Sequence, residues 1–274
     1  MTRWTVQDQA GDDFMRAAGA HPERVLLALD FDGTLAPIVP DPDDSRLDPR
    51  AAEALARLRG RLGALAIITG RGTQTVSKLA RLEERGVNGL IVAGGYGAQR
   101  WVVGEAVDDA GARPAGIGEA LEAIREAIEA CGVDGVAVED KGIALGVHTR
   151  RSDDPDRAYG SLLPRLEGIA SAHGLTIEPG RSVIELRAST VTKGDAIRAL
   201  IEETGATVVA MCGDDLGDLP AFDALVDLRA AGLTTCRVVS ASLEQSGLGA
   251  YADILAEGTD GIADWLEALA DATS

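Results

Sequence analysis

Two aspartates one residue apart, Asp30 and Asp32, close the apolar run "VLLAL" and are followed by Gly33 and Thr34. Carboxylates at this spacing can divide labour: one meets a metal and attacks as a nucleophile, the other gives and takes protons. A strand ending in an Asp-Gly turn would read the same way, so the pair gains meaning only from its company. "GDDLGD" (213–218) places Asp214, Asp215 and Asp218 after a second apolar run. Acids gathered at one end of a sheet repel one another unless a cation sits among them, and hard carboxylate oxygens suit Mg²⁺. An acidic turn capping a helix is the plainer alternative. Lys193 follows Thr192, a good N-cap, and so stands in a helix's first turn, the unfavourable end of the dipole for a cation. A bound phosphoryl group would account for it, because helix starts and ammonium groups both favour anions. Thr69 precedes Gly70 at the end of another apolar run; its hydroxyl and the nearby backbone N–H groups could hold a further phosphoryl oxygen, although threonine also serves there as a cap.

These four clusters need elements that bring them together. Short apolar runs at 24–30 and 64–71, then "NGLIVAGGYGAQRWVV", "TVVAMCGDDLGD" and "CRVVSA", read as strands, with a hairpin in the third. Between them lie helical patterns: 49–61 with Pro49 at its start, "TVSKLARLEERG" closed by Gly86, "TKGDAIRALIEETG", "LPAFDALVDLRAAG" and "TDGIADWLEALADAT". Alternation of this kind predicts an α/β fold: a doubly wound, Rossmann-like parallel sheet with helices on both faces and ligands at the carboxyl ends of its strands. The rhythm changes after a linker at 104–118. A helix at about 118–130, strands "GVAVEDKG" and "IALGVHTR", a helix at 154–173 and strands "LTIEP" and "SVIELRA" form an α+β block. The expected organisation is a discontinuous core, 1–110 with 189–274, and an inserted domain, 111–188.

Composition narrows the function. Of 274 residues, 46% are apolar, enough for a substantial core. Acids outnumber bases 44 to 26, for a formal charge of −18, which argues against nucleic acid and anionic membrane surfaces as partners. Cys131, Cys212 and Cys236 are scattered, with neither disulfide nor metal-ligand spacing, and no apolar run approaches membrane-spanning length. A soluble, cytoplasmic protein is expected. The acidic loop "PIVPDPDDSRLDP" lacks the glycine and distal glutamate of an EF-hand. No Walker lysine motif, dinucleotide fingerprint or nucleophile elbow is present.

"DFDGTL", "IITGR", Lys193 and "GDDLGD", in that order, resemble the four motifs of the haloacid dehalogenase superfamily. Within it, "VEDKGIALGVHTR", "VIELRASTVTKGDAIRAL" and "GDDLGDLPAF" resemble the trehalose-6-phosphate phosphatases, over roughly 24–270. The resemblance implies Asp30 as nucleophile and Asp32 as acid/base. It implies Mg²⁺ on the Asp30 carboxylate, the Asp32 backbone carbonyl and Asp214, supported by Asp215 and Asp218. Thr69, Gly70 and Lys193 would hold the phosphoryl group, and Glu139, Lys141, Glu185 and Arg187 the sugar, in a cap domain formed by the insertion. The implied reaction is hydrolysis of trehalose 6-phosphate through an aspartyl-phosphate, with a trehalose-phosphate synthase as functional partner. Another sugar phosphate, such as sucrose phosphate or a glycosyl phosphoglycerate, and a catalytically silent sugar-phosphate-binding regulator remain as alternatives. The chain departs from the related pattern at Tyr96 and Gln99, where a histidine and an acid often stand, and at Gly217 before Asp218.

Overall fold

The computed structural model describes residues 2–107, 113–180, 182–241 and 247–274. Residues 108–112 of the expected linker, and with them its expected boundary at 110/111, lie outside the described residues. The chain divides into two compact units, Met1–Asp108 with Val191–Ser274, and Asp109–Thr190.

In the larger unit, β1 (Trp4–Val6), β2 (Val25–Leu29), β3 (Ala64–Ile68), β4 (Ile91–Gly94) and β5 (Gln99–Val102) share a sheet with β10 (Val208–Gly213), β11 (Thr234–Ala241) and β12 (Ile254–Glu257). The order is β1-β12-β11-β10-β2-β3-β4-β5, parallel throughout except for the antiparallel edge strands β1 and β5. All side chains of β2 and β3 are buried, as parallel strands covered on both faces require. Strand alternation then sorts them. Val25, Leu27 and Leu29 pack with Phe14, Leu55 and Trp265 on one face, against helices α1 (Gln9–Ala20), α2 (Pro49–Leu58) and α8 (Gly258–Ala272). Leu26 and Ala28 pack with Ile197 and Phe222 on the other, against α6 (Lys193–Thr204) and α7 (Leu219–Ala230). Each fully buried aliphatic side chain stabilises the fold by about 1.5–3 kcal/mol.

The expected doubly wound sheet and the β4–β5 hairpin are present. One helix is shorter than its pattern suggested. Thr73–Ala80 (α3) stops at Arg81, which takes a left-handed conformation (φ 49°), and a separate turn over Glu83–Arg85 reaches Gly86. Gly86 therefore closes that turn and not the helix.

The smaller unit holds α4 (Ile117–Cys131), β6 (Ala137–Asp140), β7 (Ala144–His148), α5 (Pro155–Ala172), β8 (Thr176–Gly180) and β9 (Val183–Arg187). Its antiparallel sheet runs β6-β7-β9-β8. Leu145, Val147, Ile184 and Leu186 face Ile124, Leu162 and Leu166 of the two helices. The alternate positions carry Glu139, His148, Glu185, Arg187 and Glu178, leaving a polar face of the kind an antiparallel sheet can turn to water or a ligand.

Candidate active site

Asp30 follows β2 directly, and its N–H donates to the Cys212 carbonyl of β10 at 2.8 Å, so the two strand ends are tied at the site. The chain then turns sharply: Gly33 N–H donates to the Ala36 carbonyl at 2.7 Å, and Ser240 Oγ donates to the Gly33 carbonyl at 2.7 Å. Gly33 has φ 77° and lies so close to Asp214 that a Cβ would sit 2.2 Å from its carboxylate. Both the left-handed backbone and the close approach exclude other residues there.

Thr192 and Asp195 form a reciprocal cap on α6, and Lys193 is its first residue. The ammonium is buried and donates to Asp30 Oδ1 and Asp218 Oδ1, each at 2.7 Å. Asp218 Oδ2 accepts the N–H groups of Asp214 at 2.9 Å and Asp215 at 3.2 Å. Asp218 thus buttresses both the lysine and the acidic turn. Asp215 caps that turn, accepting Gly217 N–H at 2.9 Å.

Burial pushes the Asp30 carboxyl well above the usual range; Lys193 opposes this, while Asp218 and Asp215 add to it. Burial likewise raises Asp214, to about 10, with Asp30, Asp218 and Asp215 contributing and Lys193 opposing. For Lys193 burial acts downward, but the carboxylates of Asp218, Asp30 and Asp215 prevail and hold it well above its ordinary value. Carboxylate oxygens of Asp30, Asp214 and Asp218 lie within 4.8 Å of one another. Asp214 Oδ1 is buried and has no hydrogen-bond partner among the described residues. Clustered hard oxygens, one of them orphaned, fit a small divalent cation.

Asp32 is oriented differently. Arg71 Nε donates to its Oδ2 at 2.6 Å and Arg71 Nη2 to its Oδ1 at 2.8 Å, and Ser45 Oγ reaches Oδ1 at 3.2 Å. Arg71 also donates to the Pro42 carbonyl at 3.0 Å and lies over the Phe31 ring. Thr69, at the end of β3, accepts Arg71 N–H on Oγ1 at 3.1 Å. With that lone pair engaged, the hydroxyl proton of Thr69 is available to an anion. Arg71 and Ser45 complete the surroundings of Asp32 and were not among the expected site residues. The arginine stood in the quoted "IITGR", but no local spacing signals its pairing across 39 positions.

In the smaller unit, Lys141 Nζ donates to Glu185 Oε1 at 2.8 Å, and Arg187 Nη1 to Glu178 Oε2 at 3.3 Å. His148 Nε2 lies 3.0 Å from Glu139 Oε2. The four expected sugar-binding residues therefore share one polar face, joined by His148 and Glu178. Neither was legible from spacing, because His148 and Glu178 join this face only through the register of β7 on β6 and of β8 on β9.

The strand order, with its acids at the carboxyl ends of adjacent strands, defines a haloacid dehalogenase-like fold. A haloacid dehalogenase-like hydrolase from Bacteroides thetaiotaomicron superposes with a TM-score of 0.57 at 18% identity, covering 89% of this chain and 98% of that one. The C-terminal domain of C. albicans trehalose-6-phosphate phosphatase superposes with a TM-score of 0.75 at 19% identity, covering 97% and 98%. The chain belongs to the trehalose-phosphatase family, whose profile matches residues 28–248. A trehalose-phosphate phosphatase of Mycolicibacterium paratuberculosis is 34% identical over 217 residues, 76% of this chain and 52% of that protein. The chain spans only about half the length of the first curated relatives it matches. Among the described residues, no helix is long and apolar enough to cross a membrane.

Proposed function

We propose that the protein hydrolyses trehalose 6-phosphate to trehalose and phosphate. The observation that carries this reading is the buried ammonium of Lys193, held at 2.7 Å from both Asp30 and Asp218 beside the orphaned oxygen of Asp214. The arrangement suits a dianionic group delivered to a nucleophile. Family membership supports the choice of sugar.

Asp30 and Asp214, with the backbone carbonyl of Asp32, would hold Mg²⁺, and Asp215 and Asp218 would support it. Once bound, the ion supplies Lewis-acid neutralisation of charge on the phosphoryl oxygens. A carboxylate oxygen of Asp30 forms a bond to phosphorus as the bond to the sugar oxygen breaks, and Asp32 gives that oxygen its proton. The product is an aspartyl-phosphate. Asp32, now ionised, takes a proton from water, whose oxygen attacks phosphorus and releases phosphate from Asp30. Arg71 and Ser45 hold Asp32 in orientation. Lys193, Thr69 and the Gly70 backbone offset charge on the equatorial oxygens.

The smaller unit serves as the cap, where Glu139, Lys141, Glu185 and Arg187 take the sugar hydroxyls. A trehalose-phosphate synthase is the partner class that supplies the substrate. Three free thiols, two of them buried, suit a reducing, cytoplasmic setting. The test is phosphate release from a panel of sugar phosphates with and without Mg²⁺. Preference for trehalose 6-phosphate is expected; a preference for sucrose phosphate or a glycosyl phosphoglycerate would reassign the sugar, and no release from any would remove the enzyme reading.

A further inference from the structure

The loop after β4, where the chain departs from the related pattern, is fastened to the turn after β3. Thr69 N–H donates to the Ala93 carbonyl at 3.1 Å, Gly95 N–H to the Arg71 carbonyl at 2.9 Å, and Tyr96 N–H to the Thr69 carbonyl at 2.8 Å. Gln99 Oε1 accepts Thr73 N–H at 3.0 Å. It thereby caps α3, whose N-cap Gly72 has no side chain to do so.

Tyr96 holds φ 63° and ψ 16°, a left-handed conformation that a bulky residue adopts at a cost in free energy. Its ring covers Gly70: a Cβ at position 70 would lie 2.8 Å from both Cζ and the hydroxyl oxygen. Gly or Asn would make the same backbone turn with less strain. Tyrosine, unlike either, lays a ring on Gly70.

We infer that Tyr96 is a positioning residue of the phosphate-binding turn, its ring holding Gly70, and through it Thr69, in the arrangement that receives phosphoryl oxygens. The inference rests on the phosphatase reading.

The test uses the full chain with Tyr96→Asn, which keeps the turn and loses the ring, Tyr96→Phe, Gly70→Ala and the double variant Gly70→Ala/Tyr96→Asn. The readouts are kcat, KM, melting temperature and the calorimetric Kd for inorganic phosphate in Mg²⁺. Tyr96→Asn and Gly70→Ala should each raise KM and the phosphate Kd by about 5- to 20-fold, the worth of one well-placed hydrogen bond, while kcat changes far less. The double variant should be no weaker than the weaker single one, because both lesions break one contact. Tyr96→Phe, which keeps the ring, should bind phosphate about as tightly as the wild type. A merely structural ring would lower the melting temperature and leave KM and Kd in place. Unchanged phosphate affinity in Tyr96→Asn, or losses that add in the double variant, would overturn the assignment. If the wild type releases no phosphate from any monoester, the enzymatic reading falls, and the phosphate Kd still decides the role of Tyr96.

Discussion

Asp214 and Asp253 are almost equally hidden, at 2% and 0% exposed, yet their carboxyls are driven in opposite directions. Asp253 sits before β12, gripped by Arg237 through its N–H at 2.8 Å and Nη2 at 2.6 Å, and by the Arg229 guanidinium. Burial acts to raise it, but the hydrogen bonds from Arg237 and Arg229 prevail and hold it below the usual carboxylate range. At the carboxyl end of the sheet, Asp214 has the Asp30, Asp218 and Asp215 charges for company, and the Lys193 ammonium is hydrogen-bonded to Asp30 and Asp218. Donor supply, not burial, separates the two. A buried acid with all its donors in place is a structural tie. One surrounded by like charge, with an orphaned oxygen, fits a site reserved for a cation, as proposed above.

The contrast breaks first at the two acids expected to differ most. Asp30→Asn should cut phosphate release by at least about 10³-fold with the fold intact, because an amide oxygen is a poor nucleophile. Activity within tenfold of wild type would end the nucleophile assignment. Asp253→Asn should do the reverse, leaving turnover per folded molecule alone and costing about 3–5 kcal/mol of stability by stranding Arg229 and Arg237. Denaturant melts measure the latter. The pH dependence has a definite sign. A carboxyl held low in the folded state contributes stability above its unfolded value, about 3.9, and loses it as pH falls through the folded value. Wild type should therefore surrender its advantage over Asp253→Asn below about pH 4; an advantage that persists there would show the ion pair to be idle.

The candidate site was legible because its signals are local. Asp30 and Asp32 follow an apolar strand, "GDDLGD" follows another, and Lys193 stands against the dipole of its own helix. The structural ties were not legible in the same way. Arg71 meets Asp32, and Arg229 meets Asp253, only after strands pair in a particular order, and no short-range pattern encodes that order. Likewise β1 is three residues long and finds its register against Ile254–Ala256, some 250 positions on. Arg81 ends α3 in a conformation that its residue type does not announce. Gln99 becomes a helix cap only because the β4 loop is folded onto the β3 turn.

A smaller effect sharpens the contrast in the second unit, whose charges are paired, with Glu185 and Arg187 buried and Glu139 and Lys141 half-buried. Glu139→Ala and Glu185→Ala should each lower the specificity constant for trehalose 6-phosphate by about 10- to 150-fold, the worth of a charged hydrogen bond of about 1.5–3 kcal/mol. Hydrolysis of a small aryl phosphate, which has no sugar to grip, should change little. Equal losses on both substrates would move these residues into the fold or the chemistry, and no loss on either would leave the sugar assignment unsupported.

The smallest expected effect tests the reserved site by its stability alone. In cation-free buffer at pH 7, Asp214 must fold with its carboxyl pushed up to about 10, whereas the unfolded carboxyl is ionised. A raised acid contributes stability below its unfolded value and loses it as pH climbs towards the folded one. Full linkage from pH 3.9 to 7 would make this cost about 4 kcal/mol, at about 1.4 kcal/mol per pH unit. Asp214→Asn removes the charge but buries an amide N–H that also needs a partner. The net gain should be about 1–2 kcal/mol, or about 2–8 °C in Tm for a chain of this size, and should grow between pH 6 and 8. Mg²⁺ should reverse the order, because binding at 100 times Kd stabilises by about 2.7 kcal/mol and should favour the wild type. Melting curves of both proteins in EDTA and in Mg²⁺ decide it. Were Asp214→Asn to melt lower than wild type without cation, as Asp253→Asn should, the two buried acids would be the same kind of residue and the reserved cation site would lose its physical basis.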